Sequence, residues 1–200
     1  MSSSESNSKL EKSFSDLPKS DEHLREHQTS SEDVYSGKFL QLKKDIVQLP
    51  DGNTTFREYL IHPGAVAIMP ILNDGRILLE RQFRYPVDAA MIEIPAGKLE
   101  LGEDPLLCAQ RELLEETGYS AKSWEFLGRI HPVISYSTEI IDIYLAKNLT
   151  LGERDLDEGE FLDVFAATLD EMHEWIASGA ITDVKTIISV YHQARRLKQL

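Results

Sequence analysis

The chain has 200 residues with 34 acidic and 21 basic side chains and a formal net charge of -13. That length supports one sizeable core rather than two, and the acidic balance argues against a nucleic-acid backbone or an anionic membrane as main partner. The single Cys108 excludes an intramolecular disulfide framework and a CxxC site, and no signal-like or membrane-spanning apolar run occurs, which together point to a cytoplasmic protein.

Residues 1–33 are rich in Ser, Glu, Asp and Lys without a sustained apolar period and read as a flexible tail. Order is expected from Val34. Lys38–Gln48 and Thr54–Ile61 read as strands joined by the turn Leu49-Pro50-Asp51-Gly52-Asn53, a first hairpin. Ala65–Ile71 and Arg76–Phe83, around Asn73-Asp74-Gly75, predict a second and more apolar hairpin. Ala89–Ile94 is a further short strand, leading into Pro95-Ala96-Gly97.

A helix follows that loop. Asp104 suits its cap, Pro105 its first position and Gly118 its end. Leu106, Ala109, Leu113 and Leu114 supply its packing face, which leaves the carboxylates for the opposite side. Trp124–Ile130, Ile140–Ala146 and Phe161–Ala166 read as strands, and Leu169–Ala177 and Ile181–Leu197 as closing helices around Gly179. Strands in the middle with three helices around them predict a mixed-sheet α/β sandwich. Trp124 and Trp175 read as packing residues, and Cys108, among Leu106, Leu107 and Ala109, as a small buried hydrophobe.

The helix carries Glu112, Glu115 and Glu116 at i, i+3 and i+4, so three carboxylates share one face within about a turn. Their mutual repulsion costs helix stability. Divalent cations remove that cost, and hard oxygen ligands suit Mg²⁺ or Mn²⁺. Arg111 binds phosphate or braces Glu115 at i+4.

Gly97, five residues, Glu103, seven residues, Arg111-Glu112-Leu113, one residue, Glu115-Glu116, one residue, Gly118 and Tyr119 resemble the Nudix hydrolase box, with Tyr119 where an aliphatic residue is more usual. Arg81-Gln82-Phe83-Arg84-Tyr85 and Glu93-Ile94-Pro95-Ala96-Gly97-Lys98-Leu99 are similar to the ADP-ribose pyrophosphatase branch of that family. The resemblance implies a Nudix-type α/β/α sandwich with a mixed central sheet and an amino-terminal β-hairpin extension. It divides the chain into a tail (1–33), amino-terminal strands that could serve dimerisation (34–61) and a hydrolase domain (62–200).

The reaction implied is Mg²⁺-dependent hydrolysis of ADP-ribose to AMP and ribose 5-phosphate by a homodimer, with no nucleic-acid or membrane partner. The alternatives are another nucleoside diphosphate sugar such as GDP-mannose, or a non-catalytic nucleotide-sugar-binding regulator. The metal ligands implied are Glu112, Glu115, Glu116 and the backbone carbonyl of Ala96, with Arg111 bracing them. One glutamate of the loop Leu156–Phe161 handles the attacking water, Glu158 before Glu160. Arg57, Arg84 and Glu93 are the substrate-binding candidates, joined by Glu139 of the 132–139 loop.

Overall fold

In the computed structural model, which describes residues 17–156 and 159–198, the chain divides into units Met1–Tyr59 and Leu60–Leu200. The first unit is a three-stranded sheet in the order β1 (His27–Ser36), β2 (Gln41–Gln48), β3 (Thr54–Ile61). β2 and β3 are neighbours across a turn in which Leu49 N donates to Asn53 O at 2.8 Å, the first hairpin predicted. β1 pairs antiparallel with β2 from His27↔Gln48 to Ser36↔Gln41. It therefore begins well ahead of Val34, inside the segment read as tail. The reason is physical: every residue of β1 is exposed, so polar contacts and the backbone ladder hold the strand and no apolar alternation marks it.

The second unit has two sheets, ordered β10-β5-β6 and β7-β4-β9-β8. Their strands are β4 (Ala65–Pro70), β5 (Ile77–Arg84), β6 (Ala89–Glu93), β7 (Ala96–Lys98), β8 (Tyr119–Ile130), β9 (Ile141–Leu151) and β10 (Leu162–Ala167). β4 and β9 run parallel, Ala65↔Ile141 to Pro70↔Ala146, while the other mapped pairs are antiparallel. The sheet is thus mixed, as predicted.

The second hairpin predicted does not form as a ladder. Leu72 N donates to Arg76 O and closes the turn, but one bridge, Ile71↔Ile77, is all that joins β4 to β5. β4 is apolar on both faces, whereas β5 begins apolar at Ile77-Leu78-Leu79 and turns polar from Glu80, and each lies inside a different sheet with other partners.

β4 explains the layering. Val66 and Ile68 pack with Cys108, Ala109 and Leu113 of α1 (Pro105–Thr117). Ala67 and Met69 point the other way, into a core with Ile77, Leu79, Ile143 and Leu145. α2 (Leu169–Ser178) and α3 (Val184–Leu197) close that second core through Met172 and Val190. The result is the α/β/α sandwich expected from the sequence. Trp124 and Trp175 pack against the two cores as read, and Cys108 is fully buried, its thiol pushed up to about 12 by desolvation first. Among the described residues no helix is long and apolar enough to cross a membrane.

Candidate active site

α1 begins as its sequence dictates. The Asp104 carboxylate accepts from Leu106 N and Leu107 N at 2.9 and 3.2 Å, and Gly118, at φ 75°, ends the helix. Immediately before it, β7 pairs with β4, Val66↔Gly97. That pairing lays Gly97 beneath the Glu112 carboxyl. A Cβ on Gly97 would sit 1.8 Å from Glu112 Cδ, so only glycine leaves room for the side chain.

The carboxylates do not all face away from the core. Glu116 is buried at 4% exposure, while Leu114, taken as a packing residue, is 39% exposed. Side chains at i and i+3 share a face, so burying Leu113 carries Glu116 inward with it. Glu116 Oε2 accepts from Ala96 N at 3.0 Å, which ties the helix to the loop.

Arg111 braces rather than reaches outward. Its guanidinium donates to both oxygens of Glu103, at 3.0 and 3.1 Å, and to Glu112 Oε1 and Glu115 Oε2, each at 2.9 Å. The bond from Arg111 holds Glu103 down at about 2. Arg111 itself titrates above its ordinary range, first because of Glu103.

Glu80, on β5, escaped the sequence reading. It is 2% exposed, and its side chain bonds that of Glu116. Desolvation first, then neighbouring carboxylates, pushes Glu116 up to about 10. Desolvation likewise takes Glu80 to about 8, even against the bond from Glu116, with Glu160 and Glu93 adding to the rise. Desolvation also lifts Glu112, against the pull of Arg111. The signal was available, since Leu78, Glu80, Gln82 and Arg84 fall on one face at the strand period of two.

The same face carries the rest of the cluster. Gln82 Nε2 donates to Glu160 Oε1 at 3.1 Å. Arg84 forks onto Glu93, at 2.7 and 2.9 Å. Glu93 is buried, which alone would raise it, but Arg84 first and then Lys185 hold it below the ordinary range. Lys185, also missed, is buried at the start of α3 and pairs with Glu93 and with Asp183. Its signal was weak, because a lysine near a helix start reads as solvated. Glu93 therefore meets cations rather than standing open.

Glu160 lines a cleft of about 390 Å³ with Arg81, Phe83, Leu156 and Phe161. Glu139 stands 3.8 Å from His62 Nε2, and Arg57, in the first unit, donates from Nε to Glu26 at 2.9 Å. Glu158 lies outside the described residues. The structure thus brings together Ala96, Arg111, Glu112, Glu115 and Glu116 around one loop and helix, with Arg84 and Glu93 on β5 and β6 and Glu160 in the loop before β10, bonded to Gln82.

The donor set fits a hard divalent cation. It is all oxygen, and buried Glu80 Oε1 has no partner among the described residues. Among the described residues no three acidic, His or Cys side chains form a ready ligating group, because Arg111 already holds Glu112 and Glu115. Glu112, Glu116 and the Ala96 backbone carbonyl are the groups that could hold one.

A stability consequence follows. Between the ordinary value of 4.5 and about 8, the folded protein keeps the Glu80 proton that the unfolded chain has released, so stability falls as pH rises through that window. A cation held there would replace the proton. Mg²⁺ therefore raises Tm clearly near pH 8 and little near pH 5, as differential scanning fluorimetry will read; an equal shift at both would contradict the coupling.

Comparison with known proteins agrees with this geometry. A family model described as NUDIX domain matches residues 61–187, and one described as nucleoside diphosphate sugar hydrolase N-terminal domain matches residues 26–60. The chain is 43% identical over 171 residues to the methanol dehydrogenase activator of Bacillus methanolicus, covering 84% of this chain and 92% of that protein. It is 39% identical over 171 residues to the ADP-ribose pyrophosphatase of Bacillus subtilis (strain 168), with the same 84% and 92% coverage. The GDP-mannose pyrophosphatase of Yersinia enterocolitica is 31% identical over 170 residues, 78% of this chain and 88% of that one.

Proposed function

The chain belongs to the NUDIX family, and from that premise we propose that it hydrolyses the pyrophosphate bond of ADP-ribose to AMP and ribose 5-phosphate with Mg²⁺. At the coarser level it is a Nudix-type hydrolase of nucleoside diphosphate sugar or ADP-ribose-like compounds. The observation that carries the proposal is the buried Glu116 carboxyl, bonded to the loop at Ala96 and facing Glu80, with neither carboxylate in a salt bridge among the described residues.

Glu112, Glu116 and the Ala96 carbonyl, with Glu115 in support, would hold the cation, which when bound would supply charge neutralisation at the phosphoryl oxygens and a more acidic water. Arg111 fixes Glu112 and Glu115 through charge-assisted bonds. Arg84 is aimed by the fork onto Glu93, and its remaining guanidinium surface suits phosphate or the terminal ribose. Glu160, steadied by Gln82 beside the cleft, takes the proton of the attacking water, a task it shares as a candidate with Glu158. Arg57 and Glu139 remain substrate-binding proposals, and a homodimer belongs to the same reading, checked by light scattering.

GDP-mannose is the second reading, favoured by the Yersinia relative. Both substrates are offered with Mg²⁺ and the products identified by chromatography. Rapid cleavage of GDP-mannose beside negligible turnover of ADP-ribose would reverse the order, and tight binding without turnover of either would make the chain a regulator. For the loop, Glu158→Gln and Glu160→Gln are compared across a pH-rate profile. The true base loses about 10²–10⁴-fold in kcat and its limb of the profile; no change in either variant would remove the loop from the mechanism.

A further inference from the structure

We propose that Glu80 is a ligand to a divalent cation that it shares with Glu116, an inference that rests on the metal-dependent reading above. Glu80 lies on β5, outside the loop and helix that carry the other carboxylates. It is 2% exposed, and its Oε1 is buried without a hydrogen-bond partner among the described residues. Its side chain meets that of Glu116. Two carboxylates offer each other no donor, so a proton or a cation must join them.

The neighbouring strand supplies an internal contrast. Glu93 lies directly opposite Glu80 in the β5–β6 ladder. It is just as buried, yet Arg84 and Lys185 both bond it. Among the described residues no ion pair of that kind reaches Glu80, on which Arg154 acts without a salt bridge. Where the fold intends a buried carboxylate to be satisfied by protein, it provides cations; at Glu80 it provides a second carboxylate. A buried charge left in that state is costly.

Gln82 adds an independent sign. Its amide nitrogen must face Glu160, since a carboxylate only accepts, and this leaves Gln82 Oε1 buried and without a partner. Glu80 and Gln82 stand two residues apart on one strand face, so that face carries two buried oxygens without a partner among the described residues, one of them on the carboxylate that meets Glu116. Mg²⁺ and Mn²⁺ take oxygen ligands and keep bound waters, which suits a carboxylate ligand beside a neutral acceptor.

The test is Mn²⁺ titration of the full chain, read by electron paramagnetic resonance and calorimetry, for the wild type, Glu80→Gln, Glu80→Leu and Glu116→Gln. Both Glu80 variants are expected to bind Mn²⁺ at least about tenfold more weakly. Circular dichroism of the metal-free proteins checks folding, and glutamine keeps the size of the side chain should leucine disturb it. Wild-type affinity in the folded Glu80 variants, with loss only in Glu116→Gln, would overturn the proposal and leave the metal-dependent reading standing. Absence of Mn²⁺ binding by the wild type, with and without ADP-ribose, would overturn both.

Discussion

Replacing Glu116 with glutamine lowers Mg²⁺-dependent hydrolysis by about 10³-fold or more, while the Tm of the metal-free protein stays level or rises. The two halves of this result have separate causes. Glutamine keeps an oxygen to accept from Ala96 N, so the tie between loop and helix survives. It removes the charge that a divalent cation needs, and several kcal/mol of transition-state stabilisation go with it. The same change removes a carboxyl that must hold a proton in the metal-free protein, since desolvation and then its carboxylate neighbours push Glu116 up to about 10. A residue with a merely structural role behaves in the opposite way, losing stability first and rate as a consequence. A fall in Tm that matches the fall in activity would therefore refute the assignment.

Gly97→Ala, one methyl group, is expected to cost about 10²-fold or more in kcat with the fold retained, because displacing a reacting geometry by about 1 Å has effects of that size. The new Cβ falls 1.8 Å from Glu112 Cδ and 1.9 Å from its Oε1, so the carboxyl must leave its seat. Backbone strain is not the reason, for Gly97 is outside the left-handed region. Gly102 makes the control for open space: its φ is 78° but nothing lies within 4 Å of a Cβ there. Its alanine variant tests turn strain alone and should affect stability more than rate. Steady-state kinetics and thermal melts of the two variants separate these effects; equal rate losses would remove the special role of Gly97.

The helix and its loop were legible because their signals are local. Asp104, Pro105 and Gly118 mark the ends within a few residues of the parts they cap, and the spacing of Arg111, Glu112, Glu115 and Glu116 is a helical period. β4 and β5 misled because the turn Asn73-Asp74-Gly75 is also local, while the choice of partner strand is made by burial far along the chain. β1 hid because exposed strands have no apolar pattern to show. Glu80 and Lys185 hid for a related reason. A glutamate in a strand reads as its solvent face, and a lysine near a helix start as solvated, unless the elements packed against them are known.

The parallel pairing of β4 with β9 sets an order of events. β4 leaves the ribosome with Val66, Ala67, Ile68 and Met69, each of which ends at 0% exposure, and although β7 follows soon on one side, its parallel neighbour on the other does not begin until Ile141. A chain made at about 5–20 residues per second keeps that apolar edge uncovered for several seconds. Local turns and α1 form within microseconds, yet they have no finished sheet to rest on. The acidic cluster on α1 and β5 therefore assembles late, and non-local pairing is the slow step. Folding of this chain is governed by its second half, and the long wait of β4 is where misassociation would begin.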